Sequence, residues 1–420
     1  MNIWLLQTGE PLPLAPGVRK MRTGLLVDVL LTRGHTIRWW ASGFEHQRKF
    51  MQFHKDEEIV VNQQMIFQVL KGCGYKKNIS LSRYFDHRLV ARKFRIVCRR
   101  MKKPDGIVAS FPCHHLAYEG VRYAKENDIP ILVDVRDLWP DTFLDAFPQG
   151  IWQRIGKGLL SEDYFRVKRL LAECDGILAM SKGVLTWALH KANRPPGPWD
   201  RVFYMGYKKN ETNQPDSLAW LMGRENQKLF VYVGTFGQSY ELPLILEAAK
   251  TFKDKNQYNT CFVLAGTGEQ ETLLRQKCQN LSNVILPGWI DSNEIQELLH
   301  RAYVGLVPCR SVVDALPNKV FEYLSAGLPI ISSLKGEMAE SVEKHGLGVN
   351  YQEGNVKGLV SALEKILKKP DERDTMARNA LSFFKQYGDA DKIYNEYADQ
   401  IEHLISQKNS SRYEASSENH

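Results

Sequence analysis

A lysine and two carboxylates surround the start of one predicted helix. Residues 314–332 read DALPNKVFEYLSAGLPIIS, and their apolar spacing predicts a short helix that begins at Pro317 and stops at Gly327. The first turn of a helix presents unpaired N–H groups and about half a positive charge, so it can bind phosphate. Lys319 lies in that turn and would add a full charge. The pattern indicates an anion-binding site.

The two carboxylates would bind other parts of the same ligand. Glu322 lies three residues after Lys319, on the same side of the helix, and Asp314 lies in the preceding loop. Carboxylate oxygens accept hydrogen bonds, and the paired hydroxyls of ribose suit them. The pattern therefore indicates a sugar nucleotide, with its diphosphate at the helix start and sugars on either side. The alternative is a core helix in which Lys319 and Glu322 form a structural ion pair.

Glycine-rich loops follow two predicted strands in the same half of the chain. They read VGTFGQ (233–238) and AGTGE (265–269). Because glycine has no side chain, the backbone of such loops can approach a phosphate closely. The candidate glycines are Gly234, Gly237 and Gly266. Neither loop has the GxGxxG fingerprint, and the chain contains no GxxxxGK[ST] P-loop.

Alternating strands and helices would position these loops. Short apolar runs alternate with helical stretches over residues 2–181, and the pattern restarts at residue 228. This alternation predicts parallel sheets covered on both faces, with ligands at the carboxyl ends of the strands. We therefore predict an α/β fold with two doubly wound, Rossmann-like domains. The expected boundaries are 1–200, completed by a C-terminal helix at about 385–406, then 210–384, and a disordered tail at 407–420.

The composition excludes several classes of protein. With 420 residues, 43% of them hydrophobic, the chain can form two or three domains with sizeable cores. Seven scattered cysteines without a CxxC pair favour reduced thiols in the cytosol over a disulfide framework or a zinc site. No apolar stretch reaches about 18 residues, so we expect no transmembrane helix, and the first residues do not resemble a signal peptide.

Residues 83–103 form a basic segment with helical apolar spacing. They hold nine Lys or Arg and one Asp, while the whole chain has a net charge of +8. Its apolar positions are Leu89, Val90, Phe94, Val97 and Met101. A basic amphipathic helix can lie on anionic lipid, so we expect peripheral attachment to the inner face of the plasma membrane. The alternative is a solvated helix whose apolar side packs into the core. No recognised module supports nucleic-acid binding.

Seven segments of the chain resemble the GT-B glycosyltransferases of family 4. These are retaining enzymes of lipopolysaccharide, capsule and exopolysaccharide assembly, and the branch typified by N-acetylfucosamine transferases of O-antigen synthesis is the most similar. The matching segments are APGVRKMR, RGH, VDVRDLWPD, VYVGTFGQ, VLAGTGEQ, VILPGWI and LPNKVFEYLSAGLPIIS. The resemblance implies a GT-B fold, with two domains facing a central cleft. It also implies transfer from a nucleotide sugar, by family habit UDP-linked, to a glycan acceptor on polyprenyl diphosphate.

The resemblance also implies roles for the charged residues of the second half. The family signature is two acids separated by seven residues, which here reads Asp314-x7-Glu322, with aspartate in place of the usual first glutamate. It implies that Glu322 binds ribose and that Asp314 faces the donor sugar. The common Arg and Lys pair after the first strand of this half is missing. The diphosphate is therefore expected at the glycine loops and at Pro317, Asn318 and Lys319.

In the first half, the segment VDVRDLWPD (133–141) corresponds to the part of the family that reaches the reaction centre. We expect Asp137 at the acceptor or reacting sugar, with Asp134 as the second candidate. An acceptor or phosphate loop is expected from Gly17, Arg19, Arg136 and Trp139. The alternative is a charged strand-end loop with Trp139 as packing. The pair His114–His115 follows another strand and is more often structural.

The chemistry implied by the family needs no cofactor. Retention without a clear protein nucleophile implies front-face attack, in which the leaving phosphate helps to take the acceptor proton. Because no convincing DxD loop occurs, we expect no obligatory metal. Two other functions stay open, a nucleotide-sugar epimerase of GT-B fold and a catalytically inactive sugar-nucleotide-binding scaffold.

Overall fold

The structure is a computed structural model that divides into two compact units. The first comprises Met1–Phe203 and Lys392–His420, and the second comprises Tyr204–Asp391. The structure describes residues 1–15, 18, 20–78, 80–144, 150–209, 218–255, 259–310 and 317–417, with backbone alone at 152 and 411–417. The first observed boundary, between residues 203 and 204, lies within the predicted junction of 200–210. The second, between residues 391 and 392, lies seven residues after the predicted boundary at 384.

The first unit contains ten strands and seven helices within its described N-terminal part. The strands are β1 (Asn2–Leu6), β2 (Thr36–Ser42), β3 (Phe44–Glu45), β4 (Phe50–Met51), β5 (Glu57–Val60), β6 (Met65–Leu70), β7 (Gly106–Phe111), β8 (Ile131–Val135), β9 (Gly176–Ala179) and β10 (Arg201–Val202). The helices are α1 (Arg22–Thr32), α2 (Leu81–Val97), α3 (His114–Glu126), α4 (Asp141–Leu144), α5 (Ile151–Leu159), α6 (Ser161–Glu173) and α7 (Lys182–Ala192).

One eight-stranded sheet organises this unit. Its order is β10-β9-β8-β7-β1-β2-β6-β5, and every pairing is parallel except that of β5 with β6. Strands of a parallel sheet are covered on both faces, and accordingly every residue of β7 and β8 is buried. Trp4 and Trp40 pack with ring centroids 5.1 Å apart, and Phe94 of α2 packs edge-on against both.

The second unit repeats the plan with six strands. They are β11 (Lys228–Val233), β12 (Thr260–Ala265), β13 (Val284–Gly288), β14 (Ala302–Val307), β15 (Ile330–Ser332) and β16 (Gly348–Asn350). Its helices are α8 (Leu242–Lys255), α9 (Glu271–Cys278), α10 (Ser292–Arg301), α11 (Asn318–Ser325), α12 (Glu337–His345), α13 (Val356–Lys368) and α14 (Pro370–Phe383). The sheet order is β13-β12-β11-β14-β15-β16, parallel throughout. The loops that follow these strands therefore meet at one edge.

The α/β fold class is confirmed, and the structure differs from the prediction in several short or edge strands and in the last helix. Strands β5 and β6 were not predicted, because β5 is a half-exposed edge strand and β6 carries Gln68 in its middle. The last helix, α15 (Ala390–Ser417), continues past the predicted end. The expected disorder of 407–420 is therefore wrong for 407–417, a stretch without glycine or proline to stop a helix. Residues 418–420 lie outside the described residues.

In the described part of the chain, every helix is too short or too polar to span a bilayer. The prediction for the basic segment 83–103 is partly corrected. Helix α2 covers 81–97, and its Val90 and Phe94 are buried in the core of the first unit, so they face protein. Leu89 is exposed.

Candidate active site

The loops after β11 and β12 hydrogen-bond to each other at the edge of the second sheet. The Gly234 N–H donates to the Ala265 carbonyl at 3.0 Å, and the Phe236 N–H donates to the Thr267 carbonyl at 2.8 Å. Gly266 has φ of 146°, and a Cβ there would lie 1.9 Å from the Gly234 carbonyl oxygen. Only glycine fits this close approach. Gly234 favours glycine for a different reason, because its φ of 140° is one that residues with a side chain rarely adopt.

Gly237 has a different environment from the other two predicted glycines. A Cβ at this position would meet only the Thr235 methyl, at 4.0 Å. The Gly237 carbonyl accepts hydrogen bonds from Gln270 Nε2 at 2.6 Å and from the Tyr240 N–H at 3.1 Å. The backbone of this loop is thus held firmly while the space beside Gly237 stays open.

The lysine predicted to bind phosphate lies next to this glycine loop. Helix α11 starts one residue later than expected, with Pro317 as its extended N-cap rather than its first residue. The Lys319 ammonium lies over the rings of Tyr232 and Tyr240, 4.0 and 3.6 Å from their centroids. It is 3.1 Å from where a Cβ at Gly234 would be. Nζ is buried and has no hydrogen-bond acceptor among the described residues.

Burial lowers the pKa of Lys319 to about 7, although Cys309 and Glu322 act in the opposite direction. An ammonium group removed from water loses hydration that cation–π contacts only partly replace. A bound anion with acceptor oxygens would supply the missing hydrogen bonds and would restore the ordinary pKa of the lysine. The geometry therefore favours a negatively charged ligand at this point.

The remaining donor-site predictions have mixed outcomes. Glu322 is half-buried one turn after Lys319, and its backbone carbonyl accepts a hydrogen bond from Ser325 Oγ at 2.7 Å. Asn318 is exposed at the helix start. Asp314 lies outside the described residues, so its predicted contact with the donor sugar stays a prediction.

Several residues of this site were missed in the sequence. Besides the tyrosines under Lys319, Tyr323 accepts a hydrogen bond from the Val233 N–H at 2.8 Å and so ties α11 to the end of β11. Arg310 follows β14, and its N–H donates to the Ser239 carbonyl at 2.8 Å. Its guanidinium is exposed and lies 3.6 Å from Glu241. Arg310 thus places a second cation beside the glycine loop. Its position shortly after the apolar run of β14 could have identified it in the sequence.

The acids predicted at the reaction centre in the first unit have a structural environment. Asp134 is fully buried and accepts hydrogen bonds from Arg22 at 2.9 Å and from Arg136 at 2.8 Å. Burial alone would raise the pKa of Asp134, but the two guanidinium groups outweigh it and lower that pKa. Arg136 also pairs with Glu10. The prediction of Asp134 as a catalytic residue is wrong, because a carboxylate enclosed by two arginines cannot reach a substrate.

This network also corrects the prediction for Arg136. Besides its two carboxylates, its guanidinium donates to Thr23 Oγ1 at 2.8 Å and to Ser110 Oγ at 3.0 Å. Its donors are therefore used within the first unit rather than directed at a phosphate. Gly17 and Arg19, the other predicted members of that loop, lie outside the described residues.

Asp137 and Trp139 follow β8 in different environments. Asp137 is half-buried and accepts hydrogen bonds from the Leu138 N–H at 2.7 Å and Thr142 Oγ1 at 3.1 Å. It has no ion pair in the part of the chain that the structure describes, and its role at the acceptor stays a prediction. Trp139 is buried against Phe143, with ring centroids 4.2 Å apart, and under the Arg83 guanidinium. Its expected contact with the acceptor is wrong, because its ring is packing.

The pair His114–His115 belongs to a buried cluster that could hold a cation. His114 Nε2 and His115 Nε2 lie 2.7 and 3.4 Å from Asp163 Oδ1, and the three ligand atoms are within 4.8 Å of one another. Burial lowers the pKa of His115, and the Arg166 guanidinium acts in the same direction from a position 3.9 Å from Asp163. That arginine already offsets the carboxylate charge, so the cluster fits an imidazole–carboxylate hydrogen bond better than a metal.

The fold is that of the GT-B glycosyltransferases. Sucrose-phosphate synthase from Thermosynechococcus elongatus matches with a TM-score of 0.71 at 14% identity, over 97% of this chain and 99% of its own. HepE from Anabaena in complex with UDP matches with a TM-score of 0.66 at 14% identity, over 96% and 99%. WaaG, a glycosyltransferase involved in lipopolysaccharide biosynthesis, matches with a TM-score of 0.62 at 15% identity, over 95% and 99%.

Part of the second unit also resembles a known family in its sequence. Residues 221–383 match the family model of glycosyl transferases group 1, and this range includes the glycine loops, Lys319 and Glu322. Glycogen synthase of Mycobacterium tuberculosis is 30% identical over 124 residues, which is 29% of this chain. The chain spans 30% of the length of the curated relatives that it matches. The group 1 similarity therefore belongs to the unit that contains Lys319 and the glycine loops.

Proposed function

We propose that the protein is a retaining glycosyltransferase that uses a nucleotide-sugar donor. The observation that carries the proposal is the buried Lys319 ammonium, which lacks a hydrogen-bond acceptor among the described residues and adjoins the glycine loops. A diphosphate has the charge and the acceptor oxygens that this position lacks. The match of this unit to the group 1 model supports the reaction class. HepE complexes with UDP and with UDP-glucose support a UDP-linked donor.

The proposed donor site uses three sources of positive potential. Backbone N–H groups at the start of α11 and in the glycine loops bind the diphosphate, and Lys319 neutralises one of its charges. Arg310 takes the place of the cation that the family carries after the first strand. Glu322 binds the ribose and Asp314 contacts the donor sugar. Because charge on the leaving diphosphate grows in the transition state, these groups accelerate transfer.

The proposed acceptor is a glycan on polyprenyl diphosphate. Asp137 is the remaining acid after β8 for the acceptor or reacting sugar, and Gly17 and Arg19 belong to the proposed phosphate loop. The basic segment 83–103 supports peripheral attachment at the inner face of the plasma membrane, where such an acceptor would be reached. The resemblance to N-acetylfucosamine transferases supports a hexose or N-acetylhexosamine donor and a role in O-antigen, capsule or exopolysaccharide synthesis. We propose no cofactor and no obligatory metal.

A thermal-shift screen against a panel of nucleotide sugars tests the proposal. We expect one donor to raise the unfolding temperature of the wild-type protein and not of Lys319→Met. Turnover with a lipid-linked acceptor should follow with that donor. Stabilisation of both proteins alike would place the ligand elsewhere and contradict the proposal.

An incubation with donor alone separates the competing functions. Formation of an epimer would identify the protein as a nucleotide-sugar epimerase. Tight donor binding without any turnover, over a set of lipid-linked acceptors, would identify it as a binding scaffold. Transfer only in the presence of acceptor is the result that we expect.

A further inference from the structure

Helix α5 exposes an apolar stripe on the surface of the first unit. Ile151, Ile155 and Leu159 follow one another at four-residue spacing, so they lie on one side of the helix. Their exposed fractions are 69%, 46% and 73%. Large apolar side chains at this exposure and spacing leave the outer side of a helix without a partner.

Cations accompany this stripe. Arg154 and Lys157 of α5 are exposed, and within the described ranges neither has a carboxylate at ion-pair distance. On the neighbouring α6, Phe165 is a further exposed apolar residue, with 56% of its surface accessible. The helix therefore combines exposed apolar surface with positive charge that has no ion-pair partner among the described residues.

Helix α2 has the same pattern on its outer side. Leu81, Phe85 and Leu89 are exposed at four-residue spacing, and Ile96 follows two turns later. This stripe is different from the buried Val90 and Phe94, so α2 is apolar on two sides. An exposed ion pair of 3.4 Å between Arg88 and Glu162 links α2 to α6, the helix that follows α5.

The outer side of α2 also carries a concentration of guanidinium groups. Arg92 and Arg95 are exposed, and neither has a carboxylate partner in the described chain. Near its C-terminal end, a shallow open cavity of about 420 Å³ is lined by Arg95, Ile96, Arg99, Arg100 and Arg122. Two nearby glutamates balance only part of this charge, since Arg99 pairs with Glu126, and Arg122 pairs with Glu119 and Glu126.

We propose that the exposed stripes of α5 and α2 form a surface that inserts into the interface of an anionic phospholipid bilayer. An apolar protein partner would match the stripes but would leave the surrounding cations unpaired. Anionic phospholipids match both parts of the surface. Their acyl chains surround the apolar side chains, and their phosphates lie beside the arginines. This inference rests on the proposed function, because binding to a membrane would bring the protein to a lipid-linked acceptor. It also changes the lipid-facing residues from Val90 and Phe94 to Leu81, Phe85 and Ile96.

Liposome flotation tests the proposal with the full chain. We expect the wild-type protein to float with phosphatidylcholine vesicles that contain phosphatidylglycerol and to stay behind with phosphatidylcholine alone. The double variant Ile155→Ser/Leu159→Ser should lose about tenfold or more in apparent affinity, since each exposed side chain contributes apolar transfer energy. Arg92→Glu/Arg95→Glu should lose a similar factor and the effect should shrink in high salt.

The matched control is Met222→Ser, which removes an apolar side chain of 78% exposure from the second unit and should float like wild type. Equal flotation of Ile155→Ser/Leu159→Ser and wild type would overturn the proposal. A second outcome would also overturn it: the wild-type protein does not bind vesicles but forms a dimer, and the Ile155→Ser/Leu159→Ser variant is monomeric. The surface would then be a contact between two copies of the chain. Donor-induced thermal stabilisation should be the same in wild type and this variant, so loss of flotation with retained donor binding separates this inference from the proposed function.

Discussion

Both units bury charged groups where their parallel strands end, but the two sites differ in how many partners the protein provides for those groups. In the first unit, Asp134 lies between Arg22 and Arg136, and Glu10 balances the second arginine. In the second unit, the Lys319 ammonium lies against two tyrosine rings and lacks a hydrogen-bond acceptor among the described residues. The described residues complete the first network, and they supply no hydrogen-bond acceptor for the ammonium of the second.

This difference indicates a structural role for the Asp134 network and a ligand-binding role for Lys319. Burying an ion costs several kcal/mol unless partners offset it, so removing one member of a paired network destabilises the protein. Such a network also has nothing left to offer a ligand. An unsatisfied buried ammonium is unfavourable in the free protein, and a bound anion removes the penalty. Removing a charge should therefore have opposite effects in the two units.

The largest effect on stability is expected from Asp134→Ala in the first unit. The change leaves two buried guanidinium groups without their shared carboxylate, and the free energy of unfolding should fall by about 3–5 kcal/mol. Urea denaturation measures the loss. Asp137→Ala is the matched control, because its half-buried carboxylate makes only local hydrogen bonds, and it should change the stability by about 1 kcal/mol or less. A stable Asp134→Ala protein without turnover would mean that Asp134 is catalytic after all.

Lys319→Met should act in the opposite way. It removes a buried charge that has no hydrogen-bond partner among the described residues, so stability should stay within about 1 kcal/mol of wild type or rise. Turnover should fall by about 10²–10³, because the leaving diphosphate loses a charged partner. Lys250→Met, at an exposed position of the same unit, should leave turnover unchanged. Normal turnover by Lys319→Met, or a large loss of its stability, would contradict the assignment.

Gly266→Ala tests the backbone that supports Lys319. Because a Cβ would lie 1.9 Å from the Gly234 carbonyl oxygen at φ of 146°, the variant should lose about 2–4 kcal/mol of stability and most of its donor affinity. Gly237→Ala is the comparison, since its nearest contact is 4.0 Å away, and about 0.5 kcal/mol is expected. Equal stability of the two variants would show that the loops can separate freely.

Glu322→Ala should have the smallest effect of the series. The change removes the proposed ribose partner but leaves the cation at the diphosphate, so KM for the donor should rise by about tenfold, the value of one hydrogen bond to a charged group. Steady-state kinetics over donor concentration measures it. An unchanged KM would remove Glu322 from the donor site.

The sequence predicted most strands of both sheets, because buried parallel strands are continuous apolar runs. The segment ILVDV was recognised as β8 even though it contains Asp134, since its other side chains are apolar. The glycine positions were also predictable. A residue that must approach another backbone within a strand-end loop is glycine, as Gly266 shows.

The partners of the charged residues could not be predicted, because they come from distant parts of the chain. Asp134 meets Arg22, which lies 112 residues earlier, and nothing near Asp134 in the sequence indicates that pair. Lys319 was correctly placed near the glycine loop, but the two tyrosines that bury it come from the end of β11 and the loop after it. Local spacing identifies charged residues, and long-range packing decides whether they are paired.

The proton balance of donor binding follows from the burial of Lys319. Burial lowers its pKa to about 7, so the empty site holds mostly neutral amine at pH 8. A diphosphate beside the amine favours the ammonium form and raises that pKa. Donor binding at pH 8 should therefore take up most of one proton per site, and the affinity should fall as the pH rises from about 7 to the pKa of the bound state.

Isothermal titration calorimetry tests the central claim most directly. The ligand is the nucleotide sugar that stabilises the protein most, whose diphosphate has no proton to exchange in this range. Titrations at pH 8 in buffers of different ionisation enthalpy give the number of protons bound. We predict uptake close to one proton in wild type and none in Lys319→Met. Tight donor binding by the wild-type protein without proton uptake would contradict the account.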